Sequence, residues 1–267
     1  MRARSALFDL YGDHLRSRDN QAPVAALVRL LDPVGIAAPA VRTAISRMVM
    51  QDWLEPVALP EGRGYRATRR AIRRLDEAAD RIYRRSERTW DGFWHLALVT
   101  LPSERSLRTR IRADLAFLGY AEIADGVWIS PHPRSELEAV LDHPGTTLRT
   151  ARADRIDPEP TGAWDLRSLG EAYRRWLDTV DRLVALDPVG HADPDEAAFA
   201  ARFQLVHEWR KFLFADPGLP DRLLPADWPG FEAARRFSEE AARLKPAADR
   251  FVAGCLDAGP VAADSPS

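Results

Sequence analysis

The sequence predicts an α+β protein that is mostly helical and has three parts in series. Three observations predict this class. Residues 1–88 contain helical patterns followed by a hairpin pattern, residues 93–153 mix short apolar strands with helices, and residues beyond 165 show only helical periodicity. A length of 267 residues is sufficient for two or three domains, each with a core of its own.

The first part begins with three predicted helices. Apolar residues recur at helical spacing over 5–18, 23–32 and 39–52, and the second and third helices are separated by the turn-forming stretch 32–35, which ends in glycine. Two helices joined by a short turn that contains glycine are typical of a helix-turn-helix. The sequence therefore predicts this motif before residue 53.

A wing and a longer helix are predicted to follow. Residues 53–59 have strand character, 60–62 form a turn, and 63–67 are expected to return as a second strand. Thr68 is a suitable N-cap for a helix over 69–86, which is rich in arginine and has an apolar stripe that would also permit pairing with a second subunit. The first part is thus predicted to be a winged helix-turn-helix.

The middle part has a different pattern of predicted elements, in which short apolar strands alternate with helices. Asp125-Gly126 between two of these strands is a strong signal for a tight hairpin. The resulting β-α-β-β-α-β order is that of a ferredoxin-like domain. The predicted elements are strand 93–101, a helix from Ser103, strands 120–124 and 127–130, helix 133–143 and strand 147–153.

The last part is predicted to be all-helical. Residues 154–165 contain the turn formers of a linker, and the final helix carries Pro246, which is expected to kink it. The predicted domains are 1–88, 89–155 and 165–256, with a disordered tail over 257–267. The predicted helices of this part span 165–186, 193–215 and 231–256.

The charge is unevenly distributed along the chain. The formal net charge is only −2, but residues 1–88 hold 17 arginines against 11 acidic residues, whereas the middle and last parts are each net acidic. Such asymmetry indicates that the first part faces a nucleic acid. No long apolar run predicts a membrane span, and the single cysteine excludes an intrachain disulfide, so the cytoplasm is the expected compartment.

The second helix of the motif is the predicted DNA-reading element. Its outward side carries Arg42, Thr43, Ser46 and Arg47, whose side chains suit base edges in a major groove. In the wing, Arg63 and Arg66 are positioned to reach phosphates. The alternative interpretation is a winged helix that contacts proteins and whose arginines are merely solvated.

The sequence contains no convincing catalytic or metal site. His207-Glu208 resembles the start of a zinc-protease motif, but Lys211 stands where the second histidine belongs. His95 lies in an apolar strand, where a core histidine with satisfied hydrogen bonds is expected, and Cys255 has no histidine nearby in sequence. We therefore expect no enzymatic activity, no metal and no cofactor.

Several segments together resemble the PaaX family, the transcriptional repressors of bacterial phenylacetate degradation. The segments occur in the same order as in the family, which makes them more specific than a helix-turn-helix alone. They are FDLYGDHL (8–15), AVRTAISRMVMQDWLE (40–55), YRAT (65–68), WDGFWHL (90–96), FLGYAEIADGVWISP (117–131) and HEWRKFLFADPGLPDRLLPADWPG (207–230).

The resemblance implies a cytoplasmic homodimer that binds double-stranded operator DNA through its winged helix. It also implies a Cas2-like middle domain, a helical C-terminal domain and release from DNA by an aryl-CoA thioester such as phenylacetyl-CoA. The family's recognition helix corresponds to Arg42, Thr43, Ser46 and Arg47, but the wing sequence ALPEGRGY (58–65) is poorer in basic residues than is usual for the family.

The residues that would bind such an effector remain unassigned. Arg174-Arg175 and Arg210-Lys211 are basic pairs of the right kind, although ion pairing with nearby acids is the expected fate of both. Two other functions stay open. A metal-dependent nuclease built on the Cas2-like domain would cleave DNA, and a protein-interaction scaffold would show no sequence preference on DNA.

Overall fold

The computed structural model describes residues 1–83, 90–185 and 193–258. The chain divides into two compact units, each assembled from stretches that are distant in sequence. Unit 1 consists of Met1–Arg84, Asp178–Trp209 and Ala234–Ser267, and unit 2 of Arg85–Leu177 and Arg210–Ala233. The predicted domains follow chain order instead, and their bounds stay a prediction.

The N-terminal part of unit 1 contains three helices, a small sheet and a fourth helix. The sheet is antiparallel with the strand order β1-β3-β2. Its hairpin was predicted, whereas β1 was not, because three residues are too few to show alternation. The elements are α1 (Ala3–Asp13), β1 (Gln21–Pro23), α2 (Val24–Leu31), α3 (Ala38–Met50), β2 (Leu54–Leu59), β3 (Gly62–Ala67) and α4 (Arg69–Tyr83).

Two helices from the C-terminal part of the chain complete unit 1. They are α8 (Pro194–Trp209) and the larger part of α10 (Pro229–Asp257). Leu10 and Val41 belong to the same apolar core as Phe199 and Phe203 of α8. Since α8 is buried on almost all sides, it is a core helix rather than a surface helix.

Unit 2 contains a four-stranded antiparallel sheet with the order β5-β6-β4-β7. One face packs against helices through Ala97 and Ile111, and Trp94 and Ile129 belong to a second apolar cluster. The mixed α+β class and the β-α-β-β-α-β order are therefore confirmed. The elements are β4 (Trp94–Thr100), α5 (Arg105–Phe117), β5 (Ala121–Ala124), β6 (Val127–Ser130), α6 (Leu137–Leu141) and β7 (Thr147–Ala153).

Several predicted helices have different bounds in the structure. Helix α6 is much shorter than the predicted 133–143, and the predicted helix over 193–215 is two helices, because α8 ends at Trp209 and α9 spans Phe212–Ala215. The remaining elements are α7 (Leu166–Leu183) and two short 3₁₀ helices, Pro160–Ala163 and Asp221–Leu223.

Some predictions fall partly outside the described residues. The end of the predicted helix 69–86 and most of the predicted disordered tail lie there, although Asp257 is the last residue of α10. Within the described part of α4, Ala71, Leu75 and Ala79 are buried in unit 1. Of the predicted stripe, Leu75 and Ala79 are thus covered by the same chain, Ile72 is half-buried, and the side chain of residue 82 lies outside the described residues. Pairing with a second subunit through α4 stays a prediction.

Candidate nucleic-acid interface

Helix α3 owes its position to one apolar face. Val41, Ala44, Ile45 and Met48 recur at intervals of three and four residues and are all buried in the core of unit 1. Pro39 lies in the first turn, where its missing N–H costs no helical hydrogen bond. Packing of this face therefore determines which side of α3 remains exposed.

The exposed side of α3 carries the four residues predicted to read DNA. At 100° per residue, Arg42, Ser46, Thr43 and Arg47 follow one another around an arc of about 140°, and all four are exposed. The two arginines lie at the edges of the arc and the two hydroxyls lie between them. The structure thus brings these predicted residues together on one surface.

The polar groups on this surface differ in their availability. Thr43 Oγ1 donates a hydrogen bond to the Pro39 carbonyl at 2.9 Å, and Ser46 Oγ donates one to the Arg42 carbonyl at 3.1 Å. Within the described part of the chain, the guanidinium groups of Arg42 and Arg47 have no hydrogen bond or ion pair. The two guanidinium groups are therefore the available donors of this face.

A tight turn sets α3 at an angle to α2. Gly35 has φ of +77°, a left-handed conformation that favours glycine, and its N–H donates to the Asp32 carbonyl at 2.8 Å. The Ile36 N–H donates to the Leu31 carbonyl at 3.1 Å, and the Ile36 side chain is buried. These contacts form a glycine C-cap that ends α2 and leads directly into α3.

The β2–β3 hairpin also presents its two predicted arginines, but their surroundings differ. In the strand register Glu55 lies opposite Arg66, and the Arg66 guanidinium is 2.8 Å from the Glu55 carboxylate. Arg63 is exposed, and its guanidinium lies 5.7 Å from the centre of the Tyr65 ring. The charge of Arg66 is therefore already balanced within the hairpin, which sequence spacing did not show.

Helix α4 adds further positive charge near the end of α3. Arg69, Arg70 and Arg73 are exposed, and the Arg70 guanidinium lies 4.6 Å from the centre of the Trp53 ring, just beyond the C-terminus of α3. A guanidinium group that stacks over an indole face is attracted to the ring and keeps its full positive charge. These arginines therefore add positive charge close to the C-terminus of α3.

Charged side chains with little solvent exposure connect α1 with α8 in unit 1. His207 Nδ1 and Asp9 Oδ2 are 2.7 Å apart, and Arg202 donates to Asp13 at 2.7 Å. The aspartates come from the FDLYGDHL segment and His207 opens the HEWR segment. Sequence reasoning did not pair these segments, although charged residues within otherwise apolar helices were a usable signal.

Cys255 and His95, the candidate catalytic residues, both lie within the packed part of the structure. Cys255 is buried, and this burial raises the pKa of its thiol to about 11, which disfavours the reactive thiolate. The His95 side chain is mostly shielded from solvent, and its Nε2 lies 3.7 Å from the Asp91 carboxylate, beyond hydrogen-bond distance. This nitrogen has no hydrogen-bond partner among the described residues, so the expected satisfaction of the histidine is not met there. Burial lowers the pKa of His95.

Residues 1–83, 90–185 and 193–258 contain neither a membrane-spanning helix nor a cluster of metal-ligating side chains. No helix there is both long and apolar enough to cross a bilayer. Nor do three histidine, cysteine or acidic side chains in those ranges come together as metal ligands would.

Comparison with known proteins matches the chain to one family in three successive segments. Residues 2–71 match the family described as PaaX-like protein, residues 87–161 match the PaaX protein central Cas2-like domain, and residues 164–254 match the PaaX-like protein C-terminal domain. Together these matches span most of the chain in the order of the family. The chain belongs to the PaaX family.

Individual relatives agree with membership of the PaaX family. The transcriptional repressor PaaX of Escherichia coli strain K12 is 27% identical over 265 residues, which cover 93% of this chain and 82% of that protein. Among solved structures, the uncharacterized protein Rv0674 from Mycobacterium tuberculosis is similar with a TM-score of 0.56 and 25% identity, over 93% of this chain and 98% of the other. The resemblance inferred from sequence segments is thus confirmed, as is the prediction of a regulator rather than an enzyme.

Proposed function

We propose that this chain is a DNA-binding transcriptional repressor that reads its operator with α3, the recognition helix of a winged helix-turn-helix. One observation carries the proposal: the exposed side of α3 presents Arg42 and Arg47 without partners in the described chain, around Thr43 and Ser46. Both guanidinium groups are free to donate, and DNA phosphates and guanine edges are ligands that a guanidinium group binds in a bidentate manner.

The four residues of α3 have separate roles in this proposal. Arg42 and Arg47 donate to guanine or to phosphates on either side of the helix. Thr43 and Ser46 lie between them and contact bases after their hydroxyls turn away from the helix backbone. In the wing, Arg63 reaches a phosphate, whereas Arg66 must first leave Glu55.

The family supports further parts of the proposal. The relative in E. coli is named a transcriptional repressor, which agrees with a repressor role for this chain. We propose a cytoplasmic homodimer whose two recognition helices read the half-sites of an inverted repeat. In this scheme an aryl-CoA thioester, such as phenylacetyl-CoA, releases the dimer from the operator of an aromatic-acid catabolic pathway.

The three-part organisation is proposed on the same basis. The winged helix-turn-helix occupies residues 1–88, the ferredoxin-like domain 89–155 and the helical domain 165–256, close to the three segments matched by the family. The helices α8 and α10 would then serve as part of the support for the winged helix, since they share its core.

Selection of genomic DNA fragments by the purified full-length protein, followed by sequencing, tests the function. A repressor of this kind enriches a small number of fragments that share an inverted repeat. Enrichment without any common sequence would contradict the proposal and favour a scaffold. Fragments shortened only in the presence of divalent cations would instead indicate a nuclease.

A further inference from the structure

Helix α3 ends in an exposed apolar side chain that the proposed contacts with DNA do not use. Met50, the last residue of the helix, is 79% exposed, the largest exposed fraction among the large apolar side chains that the structure describes. Protein surfaces ordinarily carry some single apolar side chains, so exposure by itself assigns no role. What distinguishes Met50 is its place on α3.

Met50 lies within the surface that presents Arg42 and Arg47. At 100° per residue it is about 80° around the helix from Arg42 and about 60° from Arg47, and thus between them. Ser46 and Arg47 precede it by four and three residues, which makes both its neighbours on the helix surface. Long side chains in helices lean toward the N-terminus, which is the direction of Ser46 and Arg47 from Met50. Met50 therefore belongs to the predicted DNA-reading face.

The strip of α3 between the two arginines carries no charge. Four exposed residues follow it at intervals of four, three and four positions: Pro39, Thr43, Ser46 and Met50. The hydroxyl groups of Thr43 and Ser46 both donate to carbonyls one turn back in the helix itself. Met50 is therefore the largest apolar group in the centre of a face whose two edges are cationic.

The backbone around Met50 is held by the hydrogen bonds that end α3. The Trp53 N–H donates to the Met48 carbonyl at 2.9 Å, and Thr68 Oγ1 donates to the Asp52 carbonyl at 2.9 Å. Asp52 has φ of +57°, the left-handed conformation that is common just after the last turn of a helix. Met50 therefore lies on a capped last turn whose geometry these bonds determine.

Positive charge lies close to this end of the helix. The C-terminus of a helix carries a partial negative charge, which by itself repels DNA phosphates. The exposed Arg70 guanidinium lies 4.6 Å from the centre of the Trp53 ring, three residues after Met50, and offsets that partial charge. The turn that carries Met50 is therefore electrostatically compatible with a position close to DNA.

We infer that Met50 reads thymine, through contact of its side chain with the thymine C5-methyl group in the major groove. That methyl group is the apolar feature by which a thymine is recognised in this groove, whereas guanidinium groups recognise guanine. The unbranched, polarizable methionine side chain adapts its shape to such a group. The inference rests on the proposed function, which places α3 in the groove, and adds to it a base preference that the two arginines do not provide.

Replacement of thymine by uracil tests this contact, because uracil keeps the hydrogen-bonding groups of thymine and lacks only the methyl group. The full-length protein is titrated with an operator duplex obtained by the fragment selection, and with duplexes in which single thymines of one half-site are replaced by uracil. Loss of one buried methyl group should weaken binding about fourfold at one or two positions. Replacement at the other positions should leave the affinity unchanged.

Substitutions connect this sensitivity to the Met50 side chain. Met50→Ala should weaken binding to the unmodified operator by a similar factor and should bind the thymine and uracil duplexes equally well, since the two changes remove the same contact. Met50→Leu keeps an apolar side chain of similar volume and should retain the preference for thymine. Phe231→Ala is the control: it removes an exposed apolar side chain from α10 and should behave like the wild type on every duplex.

The outcomes separate this inference from the proposed function. Met50→Ala should fold normally, because the side chain is exposed and alanine favours a helix, and circular dichroism checks this. The inference is overturned if no thymine position of the operator is sensitive to uracil, or if the sensitivity persists unchanged in Met50→Ala. In either case specific binding of the operator would still support the proposed function. Failure to select any operator would contradict the proposed function and, with it, the contact made by Met50.

Discussion

At the scale of single residues, the arginines of unit 1 fall into two groups. Arg42 and Arg47 on α3 have no partner in the described chain, whereas Arg66 is paired with Glu55 and Arg16 with Asp76, at 2.8 and 2.7 Å. An unpaired guanidinium loses only water when it binds DNA, but a paired one must also break an ion pair. Direct contributions to affinity should therefore come first from α3.

Arg47 should carry a measurable share of sequence recognition. Arg47→Ala is expected to weaken binding to a selected operator by about 1–3 kcal/mol, because a bidentate guanidinium contact to guanine has that magnitude. Affinity for unrelated DNA should change much less. Competition binding measurements with both DNAs give the two values.

A matched control is available outside unit 1. Arg105 is exposed on α5, and Arg105→Ala removes the same charge without touching α3. We expect its operator affinity to stay within about 0.5 kcal/mol of the wild-type value, as for a surface substitution away from the contact. Equal losses in the Arg47 and Arg105 variants would show that net charge alone acts and that α3 does not read bases.

The protonation of the buried residue His14 is linked to the stability of the fold. Its ring is buried against Phe199 and Phe203, and desolvation lowers its pKa below the ordinary value of 6.5 despite the nearby Asp13. Arg202 and Lys245 also lower this pKa, and Asp249 raises it. The folded protein therefore keeps His14 neutral at a pH where the unfolded chain binds a proton.

This pKa shift makes stability depend on pH in a defined direction. The contribution of a neutral His14 is complete above pH 6.5 and is lost as the pH falls below that value, because only the unfolded state takes up the proton. From pH 7.5 to 5.5, the wild type should lose more unfolding free energy than His14→Phe. Urea unfolding at both pH values measures this, and identical pH dependence in the two proteins would assign the effect to other groups.

At the scale of elements, the β2–β3 hairpin contains an ion pair that would hold Arg66 away from DNA. Glu55→Gln keeps the size of the side chain and removes the charge that holds Arg66. If the hairpin lies along the DNA backbone, the variant should bind DNA more tightly, with a salt slope steeper by about 0.9 for one added phosphate contact. Binding isotherms at several salt concentrations provide the slope.

The double variant Glu55→Gln/Arg66→Ala identifies the origin of any gain. It has lost the released guanidinium, so its salt slope should be no steeper than that of the wild type. A gain that persists in the double variant would come from removal of a negative charge near DNA and not from a contact by Arg66. No change in either variant would place the hairpin away from the phosphates.

Elements with strong periodicity could be predicted from the sequence, and those that depend on distant partners could not. Helix α3 and the β2–β3 hairpin follow from local spacing and turn residues. Strand β1 exists because Ala22 lies opposite Tyr65 on β3, at a point where Gly64 leaves room: a Cβ atom there would lie 2.7 Å from the Ala22 carbonyl oxygen. Three residues carry no periodic signal for such pairing.

The exposed face of α3 could also be predicted from the spacing of its apolar residues, but the pairing of residues outside this helix could not. An amphipathic pattern shows which residues of a helix are buried, and thus also which are exposed. It does not show that Arg66 meets Glu55 across two strands, nor that Arg202 of α8 meets Asp13 of α1. Both depend on strand register and on packing between segments far apart in sequence.

At the scale of the whole molecule, the N-terminal helices share a core with helices from the other end of the chain. Phe203 and Val252 pack in the same cluster as Leu10 and Val41. The Arg29 guanidinium on α2 donates to the Cys255 and Ala258 carbonyls at 2.6 and 2.7 Å, where it caps the C-terminus of α10. Linear charge counts for residues 1–88 therefore describe only part of unit 1.

The buried pair of Arg202 and Asp13 should make this assembly cooperative. Arg202 on α8 donates to Asp13 of α1 and to the Ala241 carbonyl of α10, and both side chains of the ion pair are less than one-tenth exposed. In Arg202→Ala, the Asp13 carboxylate stays buried but loses the guanidinium group that donates to it. We expect a loss of roughly 3–5 kcal/mol of unfolding free energy, the usual cost of breaking a buried ion pair.

Hydrogen exchange measured along the chain distinguishes a cooperative unit from independent parts. In Arg202→Ala, amide protection should fall together in α1, α8 and α10, and operator affinity should fall with it because α1 supports α3 through the shared core. Lys245→Ala breaks only the exposed pair with Asp249 and should cost less than about 1 kcal/mol. If protection falls in α8 alone, the C-terminal helices do not stabilise the exposed face of α3, and the N-terminal part of unit 1 must instead be stable without them.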